Sequence, residues 1–271
     1  MTNTRPVALV TGASSGIGKA AAHALAEAGF EVVGTSRDRS RVTDRDGITF
    51  LDLDVTSDES VAGVVERVIG RFGRIDVVVN NAGVGVGGAA EESSVAQAQD
   101  IFDINVFGAI RVIRAVLPHM RERRTGRIIN ISSVLGLVPA PYMAVYAATK
   151  HAIEGYSESV DHEVRGHGVR VLLVEPAYTK TAFETNALRP DVPLSVYAEQ
   201  RLIFGRVLAA AMEGGDDPAV VAKVVVSAAT DPKPRLRYAA GPTAGRVRTL
   251  RRFAPTGAFD RQIRKLNRLA S

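Results

Sequence analysis

The feature that most constrains the fold is the passage out of the first apolar run. Val7–Val10 breaks at once into Thr11-Gly12-Ala13-Ser14-Ser15-Gly16-Ile17-Gly18, and an Ala-rich helical stretch over 17–28 follows and stops at Gly29. This order predicts a buried strand, a tight turn and a helix. Glycines there let the backbone lie close to a pyrophosphate, and the start of the helix offers unpaired N–H groups and a partial positive charge to it. The candidate phosphate-contacting residues are Gly12, Ser14, Ser15, Gly16, Ile17 and Gly18.

Three rival readings apply to this turn. Gly12-x-Ser14-x-Gly16 also fits the nucleophile elbow of an ester hydrolase, but no oxyanion motif precedes it. A phosphate-binding P-loop fails, because Gly18-Lys19 has Ala13 and Ala20 where Gly and Ser or Thr are required. A tight turn without a ligand is the bland alternative, and only the rest of the chain weighs against it.

Strand-like and helix-like segments alternate after the turn. Strands are predicted over 31–35, 48–53, 75–79, 127–131, 169–174 and 236–240. Helices are predicted from Thr56 or Ser57 to about 72, over 95–121 and over 144–164. That alternation predicts a single doubly wound α/β domain spanning 1–271, with a parallel sheet and helices on both faces. Residues 180–215 show no strand pattern and are expected to form a helical lid over a substrate. The 271 residues hold no cysteine, which excludes disulfides, thiolate catalysis and Cys-bound zinc. No group of histidines and acids has metal-ligand spacing, so no catalytic metal is expected; His162 and His167 stand one place too far apart for the helical zinc-protease pair. With no secretory signal and no membrane-length apolar run, a cytoplasmic protein is expected.

Tyr146 and Lys150 stand four apart on a predicted helix, hence on one face. Ser133 follows the fifth strand, at the edge where a doubly wound sheet forms its crevice. Together with the turn, these residues resemble the short-chain dehydrogenase/reductase family. Thr11-Gly12-x-x-x-Gly16-x-Gly18 is similar to its cofactor turn, and Asn80-Asn81-Ala82-Gly83 to the motif that closes its fourth strand. Asn105, Ser133, Tyr146 and Lys150 are similar to its catalytic tetrad, and Pro176 and Thr181 to the motif after its sixth strand. The resemblance covers about 5–182. Ala177 departs from it, because the family usually has Gly there.

The resemblance implies hydride transfer between a nicotinamide and a carbonyl or alcohol carbon. Tyr146 is implied to exchange a proton with the substrate oxygen. Lys150 is implied to lower the tyrosine pKa and to hold the nicotinamide ribose. Ser133 is implied to hydrogen-bond the substrate oxygen, and Asn105 to bend its helix and hold a water linking Lys150 to solvent. Asp54 and Val55 resemble the adenine-contacting pair, and Asn81, Ala82, Gly83, Pro176, Thr179 and Thr181 join the expected cofactor contacts.

The second strand ends at Ser36-Arg37, with no acid at Ser36 to accept from a ribose 2′-hydroxyl. A guanidinium can grip a 2′-phosphate by two bonds, which points to NADP(H). Asp38, one residue on, weakens that inference. The link 134–143 carries no charge, so with Leu135, Met143 and Phe183 the expected substrate is a small apolar carbonyl or alcohol compound. Leu188, Val192 and Leu194 are expected to add to the lid. The resemblance to the steroid- and retinoid-active branch, through Glu175-Pro176 and Thr181-Ala182-Phe183, points the same way. A catalytically idle NADP-binding regulator is the alternative function.

From Lys223 onward twelve Lys/Arg face two Asp/Glu, +10, within a chain of net +5. No nucleic-acid motif accompanies that charge, and no nucleic-acid partner is expected. In the basic helical extension 241–271, Phe259, Ile263, Leu266 and Leu269 or Ala270 fall on one face. That face is expected to cover the chain's own core or a subunit contact, with an anionic membrane surface as the alternative. The resemblance implies a homodimer or homotetramer paired through the helices 95–121 and 144–164.

Overall fold

A computed structural model describes residues 5–42, 47–183 and 187–269. The first half contains β1 (Val7–Val10), α1 (Gly16–Glu27), β2 (Glu31–Ser36), β3 (Ile48–Asp52), α2 (Asp58–Phe72) and β4 (Val77–Asn80). Then come α3 (Val95–Phe102), a π-helical turn (Asp103–Phe107), α4 (Gly108–Glu122), β5 (Gly126–Ile131), α5 (Ala144–Val164) and β6 (Val169–Pro176). The chain ends with α6 (Ala198–Glu213), α7 (Pro218–Thr230), β7 (Arg237–Ala240), α8 (Pro242–Phe253) and α9 (Thr256–Leu266).

The seven strands form one parallel sheet in the order β3-β2-β1-β4-β5-β6-β7. Both faces are covered, so the strands are apolar throughout rather than alternating. Side chains still alternate between faces. Ala8, Val10, Val32, Val79 and Ile129 pack with Ala21, Ala22 and Leu25 of α1 and Val221 and Val225 of α7. Val7, Leu9, Val33, Val78 and Ile128 pack with Val61, Val64 and Val68 of α2, Val112 and Val116 of α4, and Val160 of α5. Each fully buried Val, Leu or Ile of this kind stabilises the fold by about 1.5–3 kcal/mol before conformational entropy is set against it.

The strand order reverses between β1 and β4, and a crevice opens outside the carboxyl ends of the strands at that point, as doubly wound sheets require. Two departures from the sequence expectation bear on it. The helix expected over 95–121 contains the π-helical turn, with Asn105 buried inside it. Helix α7 went unassigned because its Val-rich run, Val224 to Val226, reads equally well as a strand. Packing against α1 decides it, helped by the Asp217 side chain, which accepts from the Ala219 N–H, and by Pro218 in the first turn. Among the described residues no helix is long and apolar enough to cross a membrane.

Candidate active site

The glycine turn owes its shape to contacts that forbid side chains. Gly12 and Gly16 take φ of +63° and +53°, where a Cβ is costly. A Cβ on Gly18 would stand 2.3 Å from the Gly12 carbonyl oxygen and 2.4 Å from the Asn81 amide nitrogen. Asn81 clamps the turn from the next strand: its Nδ2 donates to the carbonyls of Thr11 and Gly12 at 3.0 Å each. The backbone N–H groups of Asn81 and Ala82 both donate to Thr11 Oγ1. Ser15 takes the N-cap position of α1 without a side-chain cap, and no acid occupies the first turn.

A crevice of about 1280 Å³ runs from this turn to Tyr146. Every sequence-predicted site residue lines it except Gly18 and Asn105. Gly18 is packed behind Gly12, and Asn105 lies behind Gly83, where a glycine Cβ would come within 3.1 Å of its Oδ1. At the far end, the exposed Arg37 faces Asp54. The Asp54 carboxyl is held below its usual range by the Thr56 hydroxyl and N–H, at 2.7 and 2.9 Å, with Arg37 adding to the effect. Asp38 Oδ1 is taken by the Ser40 N–H and hydroxyl at 3.0 and 2.5 Å, so this oxygen caps a short 3₁₀ turn.

At the other end, Tyr146 is buried and hydrogen-bonded to Ser133, with the Phe183 ring 5.4 Å from its own. The Ser133 Oγ also accepts from the Leu135 N–H at 3.1 Å. Lys150 Nζ lies 5.6 Å from the centre of the Tyr146 ring and donates to the Ile131 carbonyl at 2.8 Å. Asn105 accepts from the Val84 N–H and donates to the Val84 carbonyl, both at 2.8 Å, and donates to Thr149 Oγ1 at 3.2 Å. Its side chain therefore ties the π turn to the loop after β4 and reaches the neighbour of Lys150.

The electrostatics of the site are dominated by burial. Burial pushes the Tyr146 hydroxyl well above the usual phenol range, and the Ser133 hydrogen bond opposes this only in part. Desolvation dominates, so burial favours the neutral phenol. Burial also pulls Lys150 down to about 8, against the opposing pull of the Glu154 carboxylate. Ala177 is not among the non-glycine residues with positive φ, so this backbone does not need the glycine it replaces.

The apolar wall differs from expectation. Val134, Leu135, Val138 and Met143 of the link before α5 line the crevice, as does Phe183. Leu188 and Val192 are exposed, and Leu194 also lies outside the crevice. Residues 189–194 are fastened instead to the loop after β4: Leu194 N–H donates to Glu92 Oε1 at 2.8 Å, and Ser94 Oγ donates to Asp191 at 2.5 Å. The lid's contribution comes from Val207, Leu208, Ala211 and Met212 of α6. Opposite them stand Val247 and Leu250 of α8 and Phe259, Ile263 and Leu266 of α9. The apolar face of the basic extension thus turns toward the crevice; Ala270 lies outside the described residues. Arg251 fastens the extension, donating to the Leu137 carbonyl at 3.1 Å with its guanidinium 5.3 Å from the Phe259 ring centre.

The chain matches the family model described as short chain dehydrogenase over residues 6–191. It is 44% identical to a 3-ketodihydrosphingosine reductase of Bacteroides thetaiotaomicron over 180 residues, 66% of each chain. It is 36% identical to retinol dehydrogenase 8 of Bos taurus, covering 93% of this chain and 86% of the relative. Among solved structures, a short-chain dehydrogenase from Streptomyces avermitilis superposes with a TM-score of 0.83 at 36% identity, covering 99% of this chain and 97% of the other. A family member from Burkholderia phymatum in complex with NAD gives 0.80 at 28% identity, covering 92% and 93%. The chain belongs to the short-chain dehydrogenase/reductase family.

Proposed function

We propose that this chain uses NADP(H) to interconvert an apolar ketone or aldehyde with the matching alcohol. The observation that carries this reading is one continuous crevice with the glycine turn at one end and Ser133, Tyr146 and Lys150 at the other. The residues present fit a nicotinamide dinucleotide. The turn has no side chain where a pyrophosphate would lie, and the uncapped start of α1 presents its N–H groups there. Arg37 lines the crevice next to Ser36, and a guanidinium there supports recognition of a 2′-phosphate. Family members in complex with NAD and with NADP are both among the similar structures, so the preference proposed here rests on Arg37 and on the lack of an acid at Ser36.

The bound nicotinamide supplies or accepts the hydride. The chain's own residues then manage the substrate oxygen. Tyr146, held neutral, donates a proton to that oxygen during reduction, and Ser133 hydrogen-bonds it as negative charge develops. Lys150 holds the ribose hydroxyls, its ammonium kept in place by the Ile131 carbonyl. Asn105 holds the loop after β4 against the π turn, and so shapes the wall at Gly83.

The walls beyond Tyr146 are apolar, and a charged substrate there would lose hydration without a partner. The relatives' names, a ketodihydrosphingosine reductase and a retinol dehydrogenase, fit an apolar substrate. We also expect a homodimer or homotetramer paired through the α3–α4 segment and α5. NADPH consumption with a panel of ketones tests the reading: apolar ketones should show the higher kcat/KM, and preference for charged ketoacids of equal size would overturn it. Ile263→Asp should raise KM for the apolar ketones and leave NADPH affinity unchanged.

A further inference from the structure

One helical turn beyond Lys150, α5 carries a buried acid that the reaction above does not use. Glu154 is 4% exposed, and Glu175, at the end of β6 beside Pro176, is fully buried. A single guanidinium serves both. Arg237 of β7 donates to Glu154 Oε2 and, at 2.7 Å, to Glu175 Oε1, and it also pairs with the half-exposed Glu158 of α5 at 3.0 Å. Two buried carboxylates thus share one cation. Each keeps one buried oxygen, Glu154 Oε1 and Glu175 Oε2, without a hydrogen-bond partner in the described geometry.

The free oxygen of Glu154 points toward the catalytic loop. A Cβ on Gly136 would meet Ser132 Oγ at 2.8 Å and Glu154 Oε1 at 3.1 Å, so the two groups flank the same spot. Ser132 Oγ is itself buried without a partner at good geometry, although it is near enough to steady the Glu154 carboxylate. Ser132 is the residue before Ser133, and its N–H is fixed to the Val174 carbonyl at 2.8 Å. Glu154 is therefore wedged between Arg237 and Glu175 on one side and Ser132 and Gly136 on the other.

Resting on the assignment of Ser133, Tyr146 and Lys150 proposed above, we propose that Glu154 is a positioning residue that exchanges a proton within this cluster and thereby tunes Lys150, one helical turn away. Three carboxylates, Glu154, Glu175 and the half-exposed Glu158, share the one guanidinium of Arg237, so the cluster is short of positive charge and a proton on Glu154 lessens the deficit. A protonated Glu154 can also donate to Ser132 or Glu175, which satisfies an orphaned oxygen. Burial raises the Glu154 carboxyl to about 7, with Glu175 adding to the rise and Ser132 and Arg237 opposing it. The facing charged groups are Arg237, Glu175 and Glu158, with Lys150 on the same helix. An ionised Glu154 raises the Lys150 pKa. Its neutralisation therefore loosens the hold of Lys150 on its own proton.

The pH profile of kcat/KM for Glu154→Gln tests this. Glutamine keeps the shape and fixes the neutral state. The limb reporting loss of the Lys150 proton should move to lower pH by about half a unit or more. Superimposable wild-type and Glu154→Gln profiles would overturn the proposal, since a purely packing role leaves the limb in place. If Glu154→Gln fails to fold, infrared titration of the wild-type protein decides alone. A carbonyl stretch of a protonated buried carboxyl should be present at pH 6 and fade by pH 8, and its absence throughout would refute the proton-exchanging Glu154. That readout needs no turnover, so it fails or succeeds independently of the catalytic assignment.

Discussion

Lys150 Nζ donates to the carbonyl of Ile131 at 2.8 Å, which ties the helix bearing Tyr146 to the last residue of β5, two positions before Ser133. The bond fixes the ammonium in a buried place where burial has already lowered its pKa to about 8. Lys150→Ala removes both this tie and the ribose contact proposed for the same group. It should lower kcat and weaken NADPH binding together, and titration calorimetry beside steady-state kinetics will separate the two losses. Unchanged cofactor affinity would contradict the ribose contact.

Arg37 governs the choice of cofactor in this account. Charge-assisted bonds to a 2′-phosphate contribute about 1.5–3 kcal/mol, so NADPH should bind roughly ten- to a hundredfold more tightly than NADH. Arg37→Ala should erase most of that gap and leave NADH affinity little changed. Fluorescence titration of wild type and variant with both cofactors checks this, and equal wild-type affinities would contradict it.

Asp161 makes the fold sensitive to acid. Its carboxylate is fully buried at the end of α5, paired with Arg165 and with Arg170 at 2.8 Å, and accepts from the Val171 N–H at 2.9 Å. Burial alone would raise its pKa, but these bonds hold it below its ordinary value of 3.8. The native value is thus the lower of the two, so this stabilisation is fully present above pH 3.8 and is lost as pH falls toward the native value. Asp161→Asn takes the carboxylate from the partly buried Arg170 and the exposed Arg165 and should cost about 1–3 kcal/mol at neutral pH. Urea unfolding at several pH values checks both statements: the gap between wild type and variant should narrow on acidification.

The periodicity of the sequence made the seven strands and most of the helices legible, because a sheet covered on both faces needs apolar runs and leaves little choice of architecture. Ala144–Val164 was readable to the residue, although the expected stop at Gly166 or Gly168 is not where it ends: a 3₁₀ turn over Arg165–His167 follows, and Gly168 caps that turn. The turn, Asn81, Ser133, Tyr146 and Lys150 were legible because each residue type is demanded by close packing or by chemistry. The far wall of the crevice was not. Val207, Leu250, Phe259 and Ile263 are ordinary apolar residues on amphipathic helices, and only the folded arrangement turns them toward Tyr146. The burial that pushes the Tyr146 hydroxyl upward has no local signal either, because the four-residue spacing from Lys150 does not report it. The partnership of Glu154, Glu175 and Arg237 joins residues up to 83 positions apart and leaves no local signal.

The central claim is that Tyr146 gives the proton to the substrate oxygen in a site that binds NADPH. The direct measurement is single-turnover NADPH oxidation with an apolar ketone by wild type and Tyr146→Phe, both saturated with cofactor. The substitution removes one hydroxyl and little volume, so NADPH affinity should stay within a few-fold of wild type, while the rate of hydride transfer should fall by about 10²–10⁴. A Tyr146→Phe protein that oxidises NADPH at a near wild-type rate would contradict the account.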